Sequence, residues 1–371
     1  MIFQDKKILI TGGTGSLGQK LVSRILTGEL GMPSRIRIFS RDEAKQHQMR
    51  LNWKQKPEST DEIIYRVPDD VLEFQIGDIR DIRSVRSALR DMDIVINAAA
   101  MKQVPTCEYF PFEAVQTNIH GASNIVSAIA DNGFKVDTVV GVSTDKACKP
   151  VNVMGMTKSI QERIFIEWNL KCPRTRFVCT RYGNVLASRG SVIPLFIQQI
   201  KRGGPITITT PEMTRFLMGL DEAINTIFAA IRGANPGETY IPKIPSARIA
   251  DIVDVMLDGR KIEIQYIDVR PGEKTHEILI SEEECHRTID IGGHFVIEPI
   301  LPEIRSRAKS APGLAGEYTS ADNLMSTDEI RALLRKNRLF PEEQTLSDAE
   351  LAGYVSGPGF SGRPVFKNQD I

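Results

Sequence analysis

Lys7-Ile8-Leu9-Ile10-Thr11-Gly12-Gly13-Thr14-Gly15-Ser16-Leu17-Gly18 is the stretch whose reading decides the fold. Lys7 to Thr11 reads as a buried strand, and after the glycine turn Leu17, Leu21, Val22 and Ile25 recur at helical spacing. A strand, a glycine turn and a helix open a βαβ unit. Glycines at 12, 15 and 18 leave room for backbone to approach a pyrophosphate, and the helix that follows points free N–H groups and a positive dipole end at it. Gly12, Thr14, Gly15, Ser16, Leu17 and Gly18 are therefore expected to bind a dinucleotide.

Outward from this unit, short apolar runs recur at 36–39, 72–76, 94–97, 138–142 and 176–181, with helical stretches between several of them. Strands alternating with helices imply an α/β fold with a doubly wound parallel sheet. The expected organisation is a dinucleotide-binding domain over 1–189, with a return at about 217–244, and a smaller substrate-binding lobe over 190–304. Residues 305–371 turn polar and rich in Gly, Ser and Pro, which predicts an accessory tail.

Composition narrows the function classes. The chain has 371 residues, with 47 basic and 47 acidic side chains, a balance that argues against a general nucleic-acid binder. Five cysteines without Cys-x-x-Cys spacing suggest neither a disulfide framework nor a zinc site, and the five histidines lack metal-ligand spacing. No run of 18 apolar residues and no cleavable leader stand in the sequence, so a cytoplasmic protein is expected.

After the second strand comes Ser40-Arg41-Asp42-Glu43-Ala44-Lys45. An acidic residue at this strand end suits the ribose hydroxyls of NAD, whereas an arginine suits a 2′-phosphate. Ser40, Arg41 and Lys45 thus favour NADP, while Asp42 keeps NAD as the less favoured alternative. Asp78 and Ile79 after the third strand are placed at the adenine, and Ala98, Ala99, Ala100 and Asn118 complete the expected cofactor set, with His120 near it at most.

The fifth strand runs into Ser143-Thr144-Asp145-Lys146-Ala147-Cys148-Lys149-Pro150-Val151-Asn152-Val153-Met154-Gly155-Met156-Thr157-Lys158, where a doubly wound fold gathers ligands. With the glycine turn, Arg181-Tyr182-Gly183-Asn184-Val185, Ser188-Arg189-Gly190-Ser191-Val192-Ile193-Pro194 and Arg270-Pro271-Gly272-Glu273-Lys274, this segment resembles the UDP-N-acetylglucosamine 4,6-dehydratases, extended short-chain dehydrogenases of bacterial surface-glycan synthesis. The likeness covers about residues 5 to 300. It implies oxidation of the sugar at C4, loss of water across C5 and C6, and return of the hydride to C6. By that resemblance Lys146 is the base at C5, Asp145 the acid at C6, Thr144 a contact to the C4 hydroxyl and Lys158 the lysine that holds the nicotinamide ribose.

Met154 departs from the usual pattern, in which a tyrosine precedes that lysine by four residues. A thioether relays no proton. The departure occurs in a subset of the sugar 4,6-dehydratases and makes Asp145 the best candidate to accept the C4 hydroxyl proton. Lys102, Asn184, Arg189, Thr214, Arg215, Arg270 and Glu273 are the expected substrate contacts, and a dimer or hexamer is the expected assembly. Two rivals stand beside this reading: a nucleotide-sugar 4-epimerase, which needs no base at C5, and a cofactor-sensing protein without catalysis.

Overall fold

The computed structural model describes residues 1–54, 71–186, 192–269, 272–305 and 313–343. Its centre is a nine-stranded sheet. Six strands carry the dinucleotide fold: β1 (Lys7–Thr11), β2 (Arg35–Ser40), β3 (Leu72–Ile76), β4 (Ile94–Asn97), β5 (Thr138–Val142) and β6 (Arg176–Thr180). They lie in the order β3-β2-β1-β4-β5-β6, all parallel, which is the doubly wound arrangement expected from the alternation of strands and helices. Beyond β6 the strand Thr239–Pro242 adds in parallel, then His294–Ile297 and Thr288–Asp290 close that side antiparallel.

The period-two alternation of each strand sorts its side chains between two cores. Ile8, Ile10, Ile94, Ile96, Val140, Val142 and Val178 join Leu21, Val22, Ile25, Ile224, Ile227 and Phe228 on one face. Leu9, Val95, Val139, Phe177 and Cys179 join Val85, Leu89, Ile125, Ile129 and Phe165 on the other. Apolar residues on both faces are what a parallel sheet covered by two helix layers requires. Each such side chain removed from water contributes about 1.5–3 kcal/mol.

A third core belongs to the smaller lobe, where Phe196, Ile197, Ile206, Leu217, Ile252, Val253 and Met256 meet. Here the structure corrects the expected tail. Ile330, Leu334, Leu339 and Phe340 are buried in this same core, and Tyr318–Thr319 pairs antiparallel with Ile278–Ile280. The helix Thr327–Lys336 is closed at its start by a Ser326–Glu329 capping box and presents its apolar face to the Ile249–Leu257 helix. A polar average hid an amphipathic helix with one buried side.

Candidate active site

The order of the strands reverses between β1 and β4, and the crevice outside their carboxyl ends is where such a fold takes ligands. Gly12 sits there at φ 65° and donates from its N–H to Phe39 O at 2.8 Å. A Cβ on Gly12 would lie 2.8 Å from Ala99 N and Cα, so only glycine lets the turn lie against the β4 exit. Thr11 ties the two together, donating to Asn97 Oδ1 at 2.6 Å and accepting from Ala99 N–H at 3.2 Å. The Ser16–Ile25 helix starts behind Gly15, with no side chain capping it and no acidic residue in its first turn. Thr14, Ser16, Leu17 and Gly18 line this start, and Ala98, Ala99 and Ala100 form the wall opposite. A glycine turn laid against the β4 exit at the uncapped start of a helix fits a dinucleotide pyrophosphate.

At the end of β2, Arg41 is 57% exposed, with its guanidinium 3.7 Å from Asp78. Asp42 caps the following helix by accepting from Lys45 N–H at 2.9 Å and pairs with the Lys45 ammonium, which holds the Asp42 carboxyl below the usual range. Asp78 is gripped by Arg80 through Nε at 2.9 Å and Nη2 at 2.8 Å. Burial pushes the Asp78 carboxyl up, but the Arg80 hydrogen bonds outweigh it and keep it ionised. Ser40 accepts from the Gln46 amide at 3.0 Å, and Ile79 is buried beneath. Asn118, in a π-helical turn over Val115–His120, holds both Met101 N–H (2.8 Å) and Met101 O (3.0 Å) and donates to Thr157 at 2.9 Å. It therefore clamps the β4 exit loop to the Val153–Lys171 helix.

The reactive cluster forms where β5 ends. Thr144 leaves the strand in extended geometry and donates to Asp145 Oδ1 at 2.8 Å, and the chain then makes one 3₁₀ turn over Asp145–Ala147. Asp145 is fully buried. Its Oδ1 also accepts from Lys146 N–H at 2.9 Å and Lys146 Nζ at 3.1 Å, while Oδ2 has no partner among the described residues. Burial lifts this carboxyl above the usual range, and nearby Glu277 adds to the rise against the pull of Lys146. Lys146 Nζ lies 3.1 Å from Glu277 Oε1 and donates to Asn184 Oδ1 at 3.3 Å. Burial alone would lower the Lys146 pKa; Asp145 and Glu277 outweigh it and hold the ammonium charged.

The Val153–Lys171 helix is set against this turn by Asn152, whose side chain accepts from Gly155 N–H at 2.8 Å and donates to Gly272 O at 2.7 Å. Gly155 is obligatory, because a Cβ there would overlap the Lys146 carbonyl. Lys158 is buried and donates to Val142 O at 2.5 Å and Gln161 Oε1 at 2.7 Å, with its pKa lowered by burial to about 8. Met154, one turn earlier, is buried with Cys107 and Ala114, and Met101, Val104 and Val153 pack against them.

Of the expected substrate contacts, Asn184 meets Lys146 directly. Thr214 and Arg215 are buried on the strand Thr214–Met218: Thr214 bonds His276 Nδ1 at 2.8 Å and Ser320 Oγ at 2.6 Å, and Arg215 donates to the carbonyls of Thr214, Lys274 and Thr275. Arg215 thus lies behind Glu277, with Nε 3.8 Å from its carboxylate. Lys102 is exposed on the loop after β4, and Glu273 is half-buried beside Gly272. Arg189 and Arg270 lie outside the described residues. Glu277 and Gly155 stand against the Asp145–Lys146 turn without having been singled out from the sequence. Glu277 stands three residues beyond the Arg270–Lys274 motif in a loop, where no periodicity marks burial.

Among the described residues no helix is long and apolar enough to cross a membrane. The family of polysaccharide biosynthesis proteins matches residues 8–299. A protein of Rickettsia canadensis named UDP-glucose 4-epimerase is 44% identical over 92% of this chain and 99% of its own. One of Rickettsia akari with the same name is 42% identical over 90% and 96%. Among solved structures, Pen from Bacillus thuringiensis is 36% identical with a TM-score of 0.81, covering 92% of this chain and 100% of that one. The dTDP-glucose 4,6-dehydratase DesIV of Streptomyces venezuelae, solved with NAD and TYD, shares the fold at a TM-score of 0.62 and 18% identity, over 91% and 100%. With a glycine cradle at the switch point of a doubly wound sheet and matches of this extent, the chain belongs to the polysaccharide biosynthesis protein family and has the extended short-chain dehydrogenase fold.

Proposed function

We propose that this enzyme works on a nucleotide sugar and carries out the NADP-dependent 4,6-dehydration of UDP-N-acetylglucosamine, giving a UDP-4-keto-6-deoxy-N-acetylhexosamine for a bacterial surface glycan. One observation carries the reading: a buried carboxyl with an unpartnered oxygen, Asp145, lies 3.1 Å from the ammonium of Lys146 at the mouth of β5. An acid and a latent base side by side suit an elimination across neighbouring carbons.

A nicotinamide bound here would supply the hydride acceptor for C4 and the hydride donor for C6. Gly12, Thr14, Gly15, Ser16, Leu17 and Gly18 would hold its pyrophosphate, Ala98 to Ala100 its flank, Lys158 its ribose and Arg41 with Lys45 and Ser40 the 2′-phosphate. Asp42 is engaged by Lys45, which supports NADP over NAD. Asp145 does the proton work. Lifted above the usual range, its carboxylate is a stronger base toward the C4 hydroxyl than a solvated one, and the proton it gains is held for the departing C6 hydroxyl. Neutralising Asp145 also removes one of the two anions that keep Lys146 charged, which eases release of the ammonium proton to solvent, and the neutral amine left behind is the form that takes the C5 hydrogen.

The name carried by the Rickettsia proteins favours a second reading, 4-epimerisation of a UDP-hexose. An epimerase inverts C4 through the same ketone, returns the hydride to C4 and leaves C5 and C6 untouched. Incubation of the holoenzyme with UDP-N-acetylglucosamine in deuterated water, followed by mass spectrometry and proton NMR, separates them. Loss of the elements of water, with the product one mass unit heavier for the deuterium taken up at C5, is expected for dehydration. Isomerisation without mass change would move the assignment to the epimerase.

A further inference from the structure

Glu277 is the one acidic neighbour of the Asp145–Lys146 pair that the proposed chemistry leaves without a task. Its carboxyl is buried; Oε1 lies 3.1 Å from Lys146 Nζ and 3.8 Å from Arg215 Nε, and Oε2 has no partner among the described residues. Its backbone is fixed on both sides, since Glu277 N–H donates to Ser320 Oγ at 2.9 Å and Glu277 O accepts from Ser320 N–H at 2.8 Å. Lys146 therefore sits between two carboxylates at equal distance, one on the β5 exit and one on the loop that leads into Ile278–Ile280.

A single ammonium cannot neutralise two buried carboxylates 3.1 Å away with equal effect once one of them has a second cation. Glu277 has Arg215 behind it, and Lys274 adds positive charge from the same loop. Among the described residues, Asp145 has Lys146, the Thr144 hydroxyl and backbone as its partners. The excess proton of the cluster is thereby directed to Asp145.

We infer that Glu277 is a positioning residue which, as the standing counter-anion of Lys146, leaves Asp145 free to carry the proton exchanged with the sugar hydroxyls. The inference rests on the dehydratase reading for its catalytic meaning and on the geometry alone for its electrostatic content. Burial opposes ionisation of Glu277, but Lys146 and Arg215 outweigh it and keep its carboxyl below the usual range, opposite in direction to Asp145. The groups that face Asp145 are Lys146, Glu277 and, further off, Lys274; Arg215 acts through Glu277.

The test reads the carboxyls directly in the holoenzyme by infrared difference spectroscopy across a pH titration, with carbon-13 aspartate or carbon-13 glutamate incorporated in turn. As the pH falls, the first buried acid band is expected to shift with aspartate labelling and to vanish in Asp145→Asn. A first band that shifts with glutamate labelling overturns the proposal without any change to Glu277. In Glu277→Gln, the Asp145 midpoint is expected to fall by at least ~1 unit, and kcat at neutral pH by at least ~10-fold with KM within ~3-fold, because Asp145 becomes the sole anion of Lys146. Glu277→Asp, which keeps the charge, is expected to restore most of the midpoint. An unmoved midpoint in folded Glu277→Gln overturns the assignment. If wild-type enzyme isomerises the sugar instead of dehydrating it while the midpoints move as expected, the reaction assignment fails and the role of Glu277 stands.

Discussion

Arg41 offers a guanidinium at the end of β2 whose only described partner, Asp78, is already held more closely by Arg80. A 2′-phosphate arriving there replaces a 3.7 Å contact with forked hydrogen bonds. Arg41→Ala is expected to weaken NADP at least ~10-fold while leaving NAD within ~3-fold, in a fluorescence titration of both cofactors. Equal losses would show that the phosphate is read elsewhere. Lys158 gives a pH signature. Its folded pKa, about 8, lies below the ordinary 10.5, so between those values the unfolded chain carries a proton the folded chain lacks. Stability from this group rises as pH climbs from about 8 to 10.5, and the burial cost is present in full below 8. The stability of wild type minus that of Lys158→Met, from urea unfolding at pH 7.5 and 10, is expected to increase; a constant difference would contradict the burial argument. Met154 packs in an apolar cluster and lacks any proton to relay, so Met154→Leu is expected to keep turnover within ~10-fold, the scale of a ~1.4 kcal/mol positioning loss. A collapse of turnover with cofactor binding intact would assign the thioether a chemical part.

At the scale of elements, β1, β4 and β5 were readable because parallel strands buried on both faces are continuous apolar runs, whereas β2 and β3, nearer the edge, showed only alternating apolar residues. Asp145, Lys146 and Lys158 were readable for a related reason: they hang on β5 and the helix after it, so their neighbourhood is fixed by sequence proximity. Glu277 and Ser320 were not. They reach the site through the pairing of Ile278–Ile280 with Tyr318–Thr319, a two-strand contact across some forty residues that no local pattern encodes. The same limit hid the packing of 313–343, within the expected tail. Ser320 bonds Thr214 and the Glu277 backbone, and Ile330 is fully buried under the lobe. Ile330→Ala is expected to cost about 2–5 kcal/mol of lobe stability in thermal or urea unfolding. Ser320→Ala is expected to lower kcat more than stability, and unchanged kcat would detach this segment from the active site.

At the scale of the whole molecule, the nine-stranded sheet draws in strands from far apart in the sequence. Thr239–Pro242 lies beside β6, and His294–Ile297 pairs with it from within the stretch expected as a separate lobe, so hydrogen bonds run without a break from the nucleotide half into the substrate half. This has a consequence for the chain while it is being made. A polypeptide leaves the ribosome from its N-terminus at about 5–20 residues per second, so the strand that covers β6, about 60 residues later, arrives roughly 3 to 12 s after β6 itself. During that interval Phe177, Val178 and Cys179 stand on an open, apolar, parallel edge, the kind of surface that pairs with other chains. Ribosome-stalled nascent chains ending between Thr180 and Thr239 are expected to sediment or to recruit a holdase chaperone. Chains extended beyond Ile297 are expected to be released from it, and equal chaperone binding by both lengths would show that the edge is shielded in another way.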